Sequence, residues 1–231
     1  MAKATAQGVN HFDSVAGEYD RLLPQHIQQH YRRKRVRLIG PLLAGGLGLD
    51  VGCGTGALME ALRPHGMVYG ADSSTGMIRA LLSAGRGEAA LSLTDMLPFA
   101  EGSFDVVFSV AVLHHVADAD RVKKTIREMV RVARPGGKIV IWDHNPKNPY
   151  WPSLMKRAPQ DTGEERLVPA QEIESALKEA GIAQVRTVQS GFVPEFAPRF
   201  LMPCARLMEA VLERMPFARR FGAHNVVVAS K

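Results

Sequence analysis

Short apolar runs alternate with amphipathic segments along most of the 231-residue chain. The amphipathic segments space their apolar residues three or four positions apart, as Val122, Ile126 and Met129 do, which is typical of a helix with one buried face. The strand-like runs are 47–51, 67–72, 90–94, 104–112 and 138–143. This alternation, with short connections, predicts an α/β fold in which a doubly wound parallel sheet is covered by helices on both faces.

Local signals predict where the helices between these strands begin and end. Ser73 or Ser74 can cap the helix after the second strand. The helix after the fourth strand is predicted to begin near Asp118 or Asp120 and to include Ala133. The Pro135-Gly136-Gly137 stretch then ends it, since proline and glycine cannot continue a helix without cost.

The two ends of the chain depart from this alternation. Residues 1–46 precede the first strand and contain an amphipathic helix from about residue 25. A helix near 170–180 and strands at 183–189 and 224–230 follow the fifth strand, and residues 191–223, rich in Pro, Phe, Arg and Met, separate those two strands. We therefore predict a core made of 47–190 and 224–231, an N-terminal helical cap (1–46) and a helical insertion (191–223).

A glycine-rich loop, L-D-V-G-C-G-T-G-A at 49–57, joins the first strand to the following helix. Glycines lack Cβ atoms, so this backbone can approach a ligand closely, and the helix N-terminus beyond favours an anionic group. Through Gly52, Gly54 and Ala57 the loop also satisfies the fingerprint of dinucleotide-binding enzymes. The loop alone therefore leaves a nicotinamide cofactor open.

Three acidic residues lie where the first three predicted strands end. They are Asp50, Asp72 and Asp95. Ligands of open α/β sheets bind beyond the carboxyl ends of the strands, so these carboxylates are expected to face one ligand. Asp72 could accept both hydroxyls of a ribose, Asp95 could accept from an adenine amino group, and Asp50 would lie near an ammonium. A ligand made of adenine, ribose and an amino-acid tail would use all three, whereas a dinucleotide has no comparable need for the first and third.

Five sequence blocks, in this order, resemble the motifs of class I S-adenosylmethionine-dependent methyltransferases, and of the small-molecule, type 11-like members in particular. The blocks are D-V-G-C-G-T-G (50–56), Y-G-A-D-S-S (69–74), T-D-M-L-P-F-A-E-G-S-F-D-V-V-F (94–108), L-H-H-V (113–116) and V-A-R-P-G-G-K-I-V-I (132–141). The resemblance covers about residues 45–145. It implies a seven-stranded Rossmann-like sheet in the order 3-2-1-4-5-7-6 with the last strand antiparallel, and an enzyme that converts S-adenosyl-L-methionine into S-adenosyl-L-homocysteine.

The resemblance also implies which residues contact the cofactor. Tyr19, in a lead-in segment (12–20) similar to that of small-molecule members, would cover the site, and Met77 is the contact that a purely structural core role would explain equally well. The implied contacts are Asp50, Gly52, Cys53, Gly54 and Gly56 at the methionine moiety, Asp72, Ser73 and Met77 at the ribose and adenosine, Asp95 and Met96 at the adenine, and Val110 at the methionine amino group.

Three histidines are the candidate catalysts. His144 ends the fifth strand, and His114 and His115 follow the fourth. Histidine is the natural general base near neutral pH if the acceptor has to lose a proton, although each of the three could instead be a hydrogen-bonded structural residue. The pair His26 and His30 lacks a third ligand, so we predict no metal ion.

The net charge of +6 is concentrated at the two ends of the chain, above all in the R-R-K-R-x-R cluster at 32–37. This cluster is either a solvated helix face or a basic rim that attracts an anionic substrate or a membrane surface. With the aromatic and methionine residues of 191–223, it suggests an acceptor with an apolar body and an anionic group. We expect O- or C-methylation of a secondary-metabolite, glycan or lipid-carrier intermediate.

Other classes of function and location are constrained by composition. No apolar run reaches the roughly 18 residues of a membrane span, and the N-terminus has no secretory signal. The two cysteines read as reduced thiols, so we predict a cytoplasmic protein, a monomer or a homodimer, that acts on a small molecule. Peripheral membrane contact stays open and no nucleic-acid partner is expected. The alternatives are an RNA or protein methyltransferase and a non-catalytic S-adenosylmethionine-binding protein.

Overall fold

Seven strands form one mixed sheet in the order β3-β2-β1-β4-β5-β7-β6, which confirms the predicted order. The computed structural model describes residues 2–116, 118–155 and 165–231, with backbone alone for residues 2–8 and 152. Strands β1 to β5 pair in parallel, and β7 runs antiparallel to both β5 and β6. The strands are β1 (Leu47–Val51), β2 (Met67–Asp72), β3 (Ala89–Leu91), β4 (Phe104–Val110), β5 (Ala133–His144), β6 (Gln184–Ser190) and β7 (His224–Ser230).

Nine helices and four short 3-10 turns connect and cover the strands within the described ranges. The pattern predicted α2, α3, α4, α5 and α7 but not α1, whose sequence carries few large apolar residues. The helices are α1 (Ala2–Val15), α2 (Gln25–Leu43), α3 (Ala57–Leu62), α4 (Thr75–Ser83), α5 (Ala119–Val132), α6 (Trp151–Leu154), α7 (Ala170–Glu179), α8 (Met202–Leu212) and α9 (Pro216–Arg219). The 3-10 turns are Tyr19–Arg21, Arg63–His65, Leu113–His115 and Arg199–Leu201. None of the described helices combines the length and the apolar character needed to cross a membrane.

The sheet is buried on both faces because successive residues of its central strands point to opposite sides. On β4, Val107 joins one core with residues of α5 and α7, whereas Val106 and Phe108 join a second core with Ile39 and Leu43 of α2. Two apolar layers thus fix the strands, and the carboxyl ends of β1, β2, β4 and β5 meet at one edge.

The end of β3 and the start of β5 are among the predicted element boundaries that are wrong. β3 ends at Leu91, so Asp95 lies four residues beyond the strand instead of directly at its end. Ala133, predicted as helical, begins β5, because the residue before Pro135 is biased towards extended backbone and the helix has already ended at Val132.

The N-terminal segment is more than a cap. The second half of α2 packs on the sheet, whereas its first half packs on the insertion through Ile27, Tyr31, Val193 and Met202. The helix α2 therefore connects the sheet to the segment between β6 and β7.

Candidate active site

The glycine loop after β1 requires glycine at several positions for different reasons. Gly52, Gly54 and Gly56 have φ angles of 77°, 53° and 76°, in the left-handed region that other residues rarely adopt. A Cβ on Gly52 would lie 2.4 Å from the side chain of Val112, whereas a Cβ on Gly54 would have no atom within 4 Å. Gly54 therefore faces open space, and Gly56 is the N-cap residue directly before α3.

Asp72, at the end of β2, braces this loop. Its Oδ2 accepts a hydrogen bond from the Gly54 amide at 2.8 Å, and its Oδ1 accepts one from the Ser74 amide at 2.9 Å. Ser74, in turn, caps α4 by accepting from the Met77 amide at 3.1 Å. Burial raises the pKa of Asp72, and the backbone donors oppose that rise. The carboxylate thus joins the loop to the start of α4.

Two adjoining cavities lie at the carboxyl ends of the strands. The β2-side cavity is lined by Asp72, Ser73, Met77, Leu93, Thr94 and Arg121, among others. The β5-side cavity is lined by Arg35, Asp50, Cys53, His114, His144, Trp151 and His224, among others. Tyr19, Gly52, Gly54, Val110, Ala111 and His115 line both cavities. The glycine loop is therefore the shared wall, and most of the predicted site residues lie on one cavity or both.

Three of the predicted cofactor contacts lie away from the cavity walls. The carboxylate of Asp95 forms a two-pronged ion pair with Arg121, at 3.0 and 3.1 Å, which lowers the pKa of Asp95. Met96 is 71% exposed, and Gly56 lies behind the loop, where a Cβ would come within 2.7 Å of Leu81. The cavity wall at this position carries Arg121, a residue that sequence reasoning missed because it comes from the start of α5.

Cys53 lines the β5-side cavity, yet its thiol belongs to a small core. It clusters there with Met59, Ile78 and Leu81. Burial raises the pKa of the Cys53 thiol, so it stays protonated. We infer that Cys53 supports the loop by packing.

The ends of β1 and β4 carry two unusual groups. Asp50 is 3% exposed, and burial, together with the negative charge of Asp72, raises its pKa to about 8. Ala111, directly after Val110, has a φ of 57°, which is uncommon for a residue with a side chain and recurs at functional sites. A cationic group beside Asp50 would favour its ionised form.

A buried histidine–carboxylate pair joins β5 to the segment after β4. Asp143 accepts hydrogen bonds from His114 Nδ1 at 2.7 Å, from the His144 amide at 2.7 Å, and from the amides of Val112 and Leu113 at 3.1 and 2.6 Å. Burial alone would raise the pKa of Asp143, but these donors and the neighbouring histidines outweigh burial and hold the pKa well below its usual range.

This pair fixes the tautomer of His114. Because an ionised carboxylate can only accept, His114 carries its proton on Nδ1, which makes Nε2 the basic nitrogen. Burial and the nearby His144 lower the pKa of His114, so the ring is neutral at pH 7. The sequence identified His114 as a candidate but missed Asp143 as its partner. The predicted strand order, which places β5 beside β4, was the signal that could have identified Asp143 as this partner.

Three further histidines surround this pair. The His144 ring lies 4.0 Å from the His114 ring and 3.6 Å from the Trp151 ring, and burial lowers the pKa of His144. His115 Nδ1 lies 3.6 Å from a Glu165 oxygen, and burial lowers the pKa of His115 to about 4. His224, at the start of β7, lies 5.6 Å from His144 and was not predicted, because only the pairing of β7 with β5 brings it here.

One group in the described part of the chain has the composition of a metal site. The ligand atoms of His114, Asp143 and His144 lie within 4.8 Å of one another. However, Asp143 already accepts four N–H groups, so a metal ion would have to displace at least one of them. We interpret the group as a hydrogen-bonded pair with an adjacent histidine, and the absence of a metal stays a prediction.

Comparison with known proteins decides the family. A methyltransferase domain profile matches residues 49–141. A demethylmenaquinone methyltransferase of Lactobacillus johnsonii is 34% identical over 167 residues, which cover 64% of this chain and 67% of that protein. The chain belongs to the class I S-adenosylmethionine-dependent methyltransferases.

Relatives of this methyltransferase carry the names of different acceptors. A ubiquinone/menaquinone biosynthesis C-methyltransferase of Hahella chejuensis is 35% identical over 153 residues, which cover 60% of each chain. A tRNA (carboxymethyluridine(34)-5-O)-methyltransferase of Arabidopsis thaliana is 34% identical over 125 residues, which cover 53% of this chain and 30% of that protein. The methyltransferase thus spans less than two thirds of the length of these two relatives.

Solved structures agree on the fold. An S-adenosylmethionine-dependent methyltransferase of Thermotoga maritima superposes with a TM-score of 0.73 at 17% identity, over 97% of this chain and 99% of that one. A magnesium protoporphyrin IX methyltransferase of Synechocystis, with S-adenosylhomocysteine bound, gives 0.66 at 18% identity over 99% of both chains. At these identities the likeness shows the fold alone.

The residues of this methyltransferase fit the cofactor of its family. The open space at Gly54 is a cradle that a side chain would fill, and Asp50 places a buried carboxyl group where an ammonium would stabilise its charge. The loop amides and the start of α3 suit a carboxylate. These groups, which suit an amino-acid tail, therefore adjoin the β2-side cavity beside Asp72.

Arg35 is a buried cationic residue of the β5-side cavity without an ion-pair partner among the described residues. Arg35 comes from α2, its Nε is buried without a hydrogen-bond partner, and no carboxylate of the described residues forms an ion pair with it. Burial lowers the pKa of Arg35, although a guanidinium keeps its charge at neutral pH. Sequence reasoning recognised the basic cluster at 32–37 but could not tell which member faces inward.

Proposed function

We propose that this protein transfers the methyl group of S-adenosylmethionine to an oxygen or carbon atom of a small anionic molecule held in the β5-side cavity. The observation that carries the proposal is His114, which pairs with Asp143 and lines the cavity that shares the glycine loop with the β2-side cavity. His114 would remove the proton of the acceptor on the side of the glycine loop opposite the β2-side cavity, where we expect the adenosine to bind.

Each residue has a separate task in this mechanism. The cofactor, when bound, supplies an electrophilic methyl group on a sulfonium. His114 Nε2 takes the proton from the acceptor, and Asp143 stabilises the imidazolium that results. Asp143 is 1% exposed and His114 2% exposed, so water is kept from this pair. Proton removal of this kind contributes about 10²–10⁴-fold to a rate.

The burial of the site favours a small acceptor. His114, Asp143 and His144 are all buried, and Trp151 and residues of α2 line the same cavity as the two histidines. A small molecule can enter such a cavity more readily than a folded RNA or protein. The cavity also includes the apolar side chains of Leu22, Leu23 and Ile27. These features support an acceptor with an apolar body, such as a secondary-metabolite, glycan or lipid-carrier intermediate.

Arg35 is the reason to propose that the acceptor is an anion. A buried charge is costly unless it is paired, and an anionic group of a ligand would pair it. The acids that face Arg35 across the cavity are Asp50 and Glu195, and burial raises the pKa of both. Neither acid forms an ion pair with Arg35, so an anionic group of a ligand would be the direct partner of its guanidinium.

Matched acceptors test this proposal. Methyl transfer from labelled S-adenosylmethionine is measured for carboxylic acids and for their methyl esters, with the wild type and the Arg35→Gln variant. We expect the wild type to prefer the acids by about tenfold in kcat/KM, and Arg35→Gln to lose that preference. Equal kcat/KM for acid and ester in the wild type would overturn the anionic acceptor. Binding of S-adenosylhomocysteine without turnover on any acceptor would support the non-catalytic alternative.

A further inference from the structure

Helix α8 has an apolar stripe on its solvent side. Its inner face is held to α2 through Glu209, whose Oε2 lies 2.9 Å from His30 Nε2 and 3.1 Å from Lys34 Nζ. On the opposite side, Leu207, Met208 and Val211 are 69%, 51% and 49% exposed. This spacing places the three side chains together on one face of a helix, where a polar stripe is expected.

The stripe continues beyond α8. Between residues 196 and 221, nine large apolar side chains are exposed, against six in all the other described residues. We call this surface the outer face. Its apolar members are Phe196, Phe200, Leu201, Leu207, Met208, Val211, Met215, Phe217 and Phe221. Such a concentration of exposed apolar side chains in one segment is typical of an interaction site.

The charges interleaved with these side chains have one sign. Arg199, Arg206, Arg214, Arg219 and Arg220 belong to the same segment, and none of them forms an ion pair with a carboxylate of the described residues. The Arg220 guanidinium lies 4.0 Å from the centre of the Phe217 ring and 4.7 Å from that of Phe221. The acids of the segment face inwards, because Glu209 and Glu213 both pair with Lys34.

We propose that the outer face docks on an anionic lipid surface, with its aromatic and aliphatic side chains in the headgroup region and its arginines on the lipid phosphates. Apolar side chains next to unpaired arginines are what a helix lying in the membrane interface presents. A second copy of this chain is disfavoured, because a two-fold interface would bring five arginines against five. The proposal does not depend on the acceptor or on catalysis.

Vesicle co-sedimentation tests this docking surface. The wild type is measured with vesicles of phosphatidylglycerol and phosphatidylcholine and with vesicles of phosphatidylcholine alone. The apolar variant is Leu207→Ser, Val211→Ser and Phe217→Ser, and the charge variant is Arg206→Gln, Arg214→Gln and Arg220→Gln. The control, Met67→Ser, Leu82→Ser and Leu91→Ser, replaces apolar side chains that are 58%, 53% and 58% exposed elsewhere. Calorimetry with S-adenosylhomocysteine checks that every variant stays folded.

The expected results separate the possible occupants of the outer face. The wild type and the control bind the anionic vesicles, and high salt releases both proteins from them. The charge variant binds about 100-fold more weakly, since each arginine near an anionic surface contributes roughly fivefold. The apolar variant loses at most about tenfold in affinity for the vesicles. Equal binding by the control and both variants would overturn the proposal, as would equal binding to the two kinds of vesicle. A wild-type dimer that the apolar variant converts to a monomer would assign the face to a second copy and also overturn it.

Discussion

The two cavities on either side of the glycine loop differ in how their polar groups are satisfied. On the β2 side, the carboxylate of Asp72 is held by backbone amides and that of Asp95 by Arg121. On the β5 side, Arg35 Nε, His144 Nδ1 and His224 Nδ1 are buried without a hydrogen-bond partner among the described residues. The two carboxylates on the β2 side are thus already paired within the protein, whereas the β5-side cavity still has polar groups that a ligand can pair.

This difference leads us to assign the two cavities to different ligands. A scaffold built from glycines and backbone amides leaves a strong signature in the sequence. The unsatisfied groups come from α2, β5 and β7, where we propose that the acceptor binds. We therefore expect substitutions on the β2 side to change cofactor affinity, and substitutions on the β5 side to change turnover or acceptor preference.

The largest effect is expected at Gly54. A Gly54→Val side chain would project into the open cradle, so affinity for S-adenosylhomocysteine should fall by about 100-fold or more. Calorimetry measures this affinity. The matched control is Gly85→Val, because Gly85 also has a left-handed φ, of 62°, and open space at its Cβ, but lies outside both cavities. Equal affinities of the two variants would mean that Gly54 does not face the cofactor.

Asp143→Asn tests the β5 side. The amide cannot hold His114 in its basic tautomer, so kcat should fall by about 100-fold while affinity for S-adenosylhomocysteine stays within threefold. Steady-state kinetics and calorimetry measure the two quantities. Asp105→Asn is the control, since Asp105 also accepts from a backbone amide, that of Leu47, but lies at the start of β4. A similar loss of affinity for S-adenosylhomocysteine in Asp143→Asn would contradict the assignment of the two cavities to different ligands.

Glu209→Gln tests how the insertion is held over the β5 side. Burial raises the pKa of Glu209, but His30, Lys34 and the Phe192 amide outweigh burial and lower it to about 2. A depressed folded pKa contributes stability that is present above the ordinary carboxyl pKa and is lost as the pH falls through the folded value. The variant should therefore lose about 2 kcal/mol in the free energy of unfolding at pH 7, and less at pH 3.

Urea unfolding at both pH values measures this loss. Glu179→Gln is the control, because the Glu179 side chain is 44% exposed and an exposed ion pair contributes less than about 1 kcal/mol. A loss for Glu209→Gln that is the same at pH 3 and at pH 7 would show that its charge is not responsible.

The smallest effect is expected at Asp95. Because Arg121 holds the carboxylate, Asp95→Ala should weaken S-adenosylhomocysteine binding by about threefold, through a less ordered Arg121. Asp72→Asn, at the carboxylate that braces the loop, is the comparison and should weaken binding more. If calorimetry gives Asp95→Ala the larger effect, Asp95 contacts the ligand directly.

The sequence predicted the β2 side far better than the β5 side. Gly52, Gly54 and Asp72 are close in sequence, so local spacing was enough to place them together. Arg35, Asp143 and His224 are far apart along the chain and meet only through the packing of α2 on the sheet and the pairing of β7 with β5. The alternation predicted the doubly wound parallel sheet, and the resemblance to the family implied its strand order. The side of α2 on which Arg35 lies, by contrast, depends on tertiary contacts that leave no periodic pattern in the sequence.

The most direct test of this division of labour is the affinity of Arg35→Gln for S-adenosylhomocysteine, measured by calorimetry beside the wild type. Arg35 lies within the β5-side cavity, and we assign it to the acceptor. The two dissociation constants should therefore agree within about threefold, although the variant loses its preference for acidic acceptors. A weakening of about tenfold or more would assign Arg35 to the carboxylate of the cofactor and contradict the separation of the two cavities.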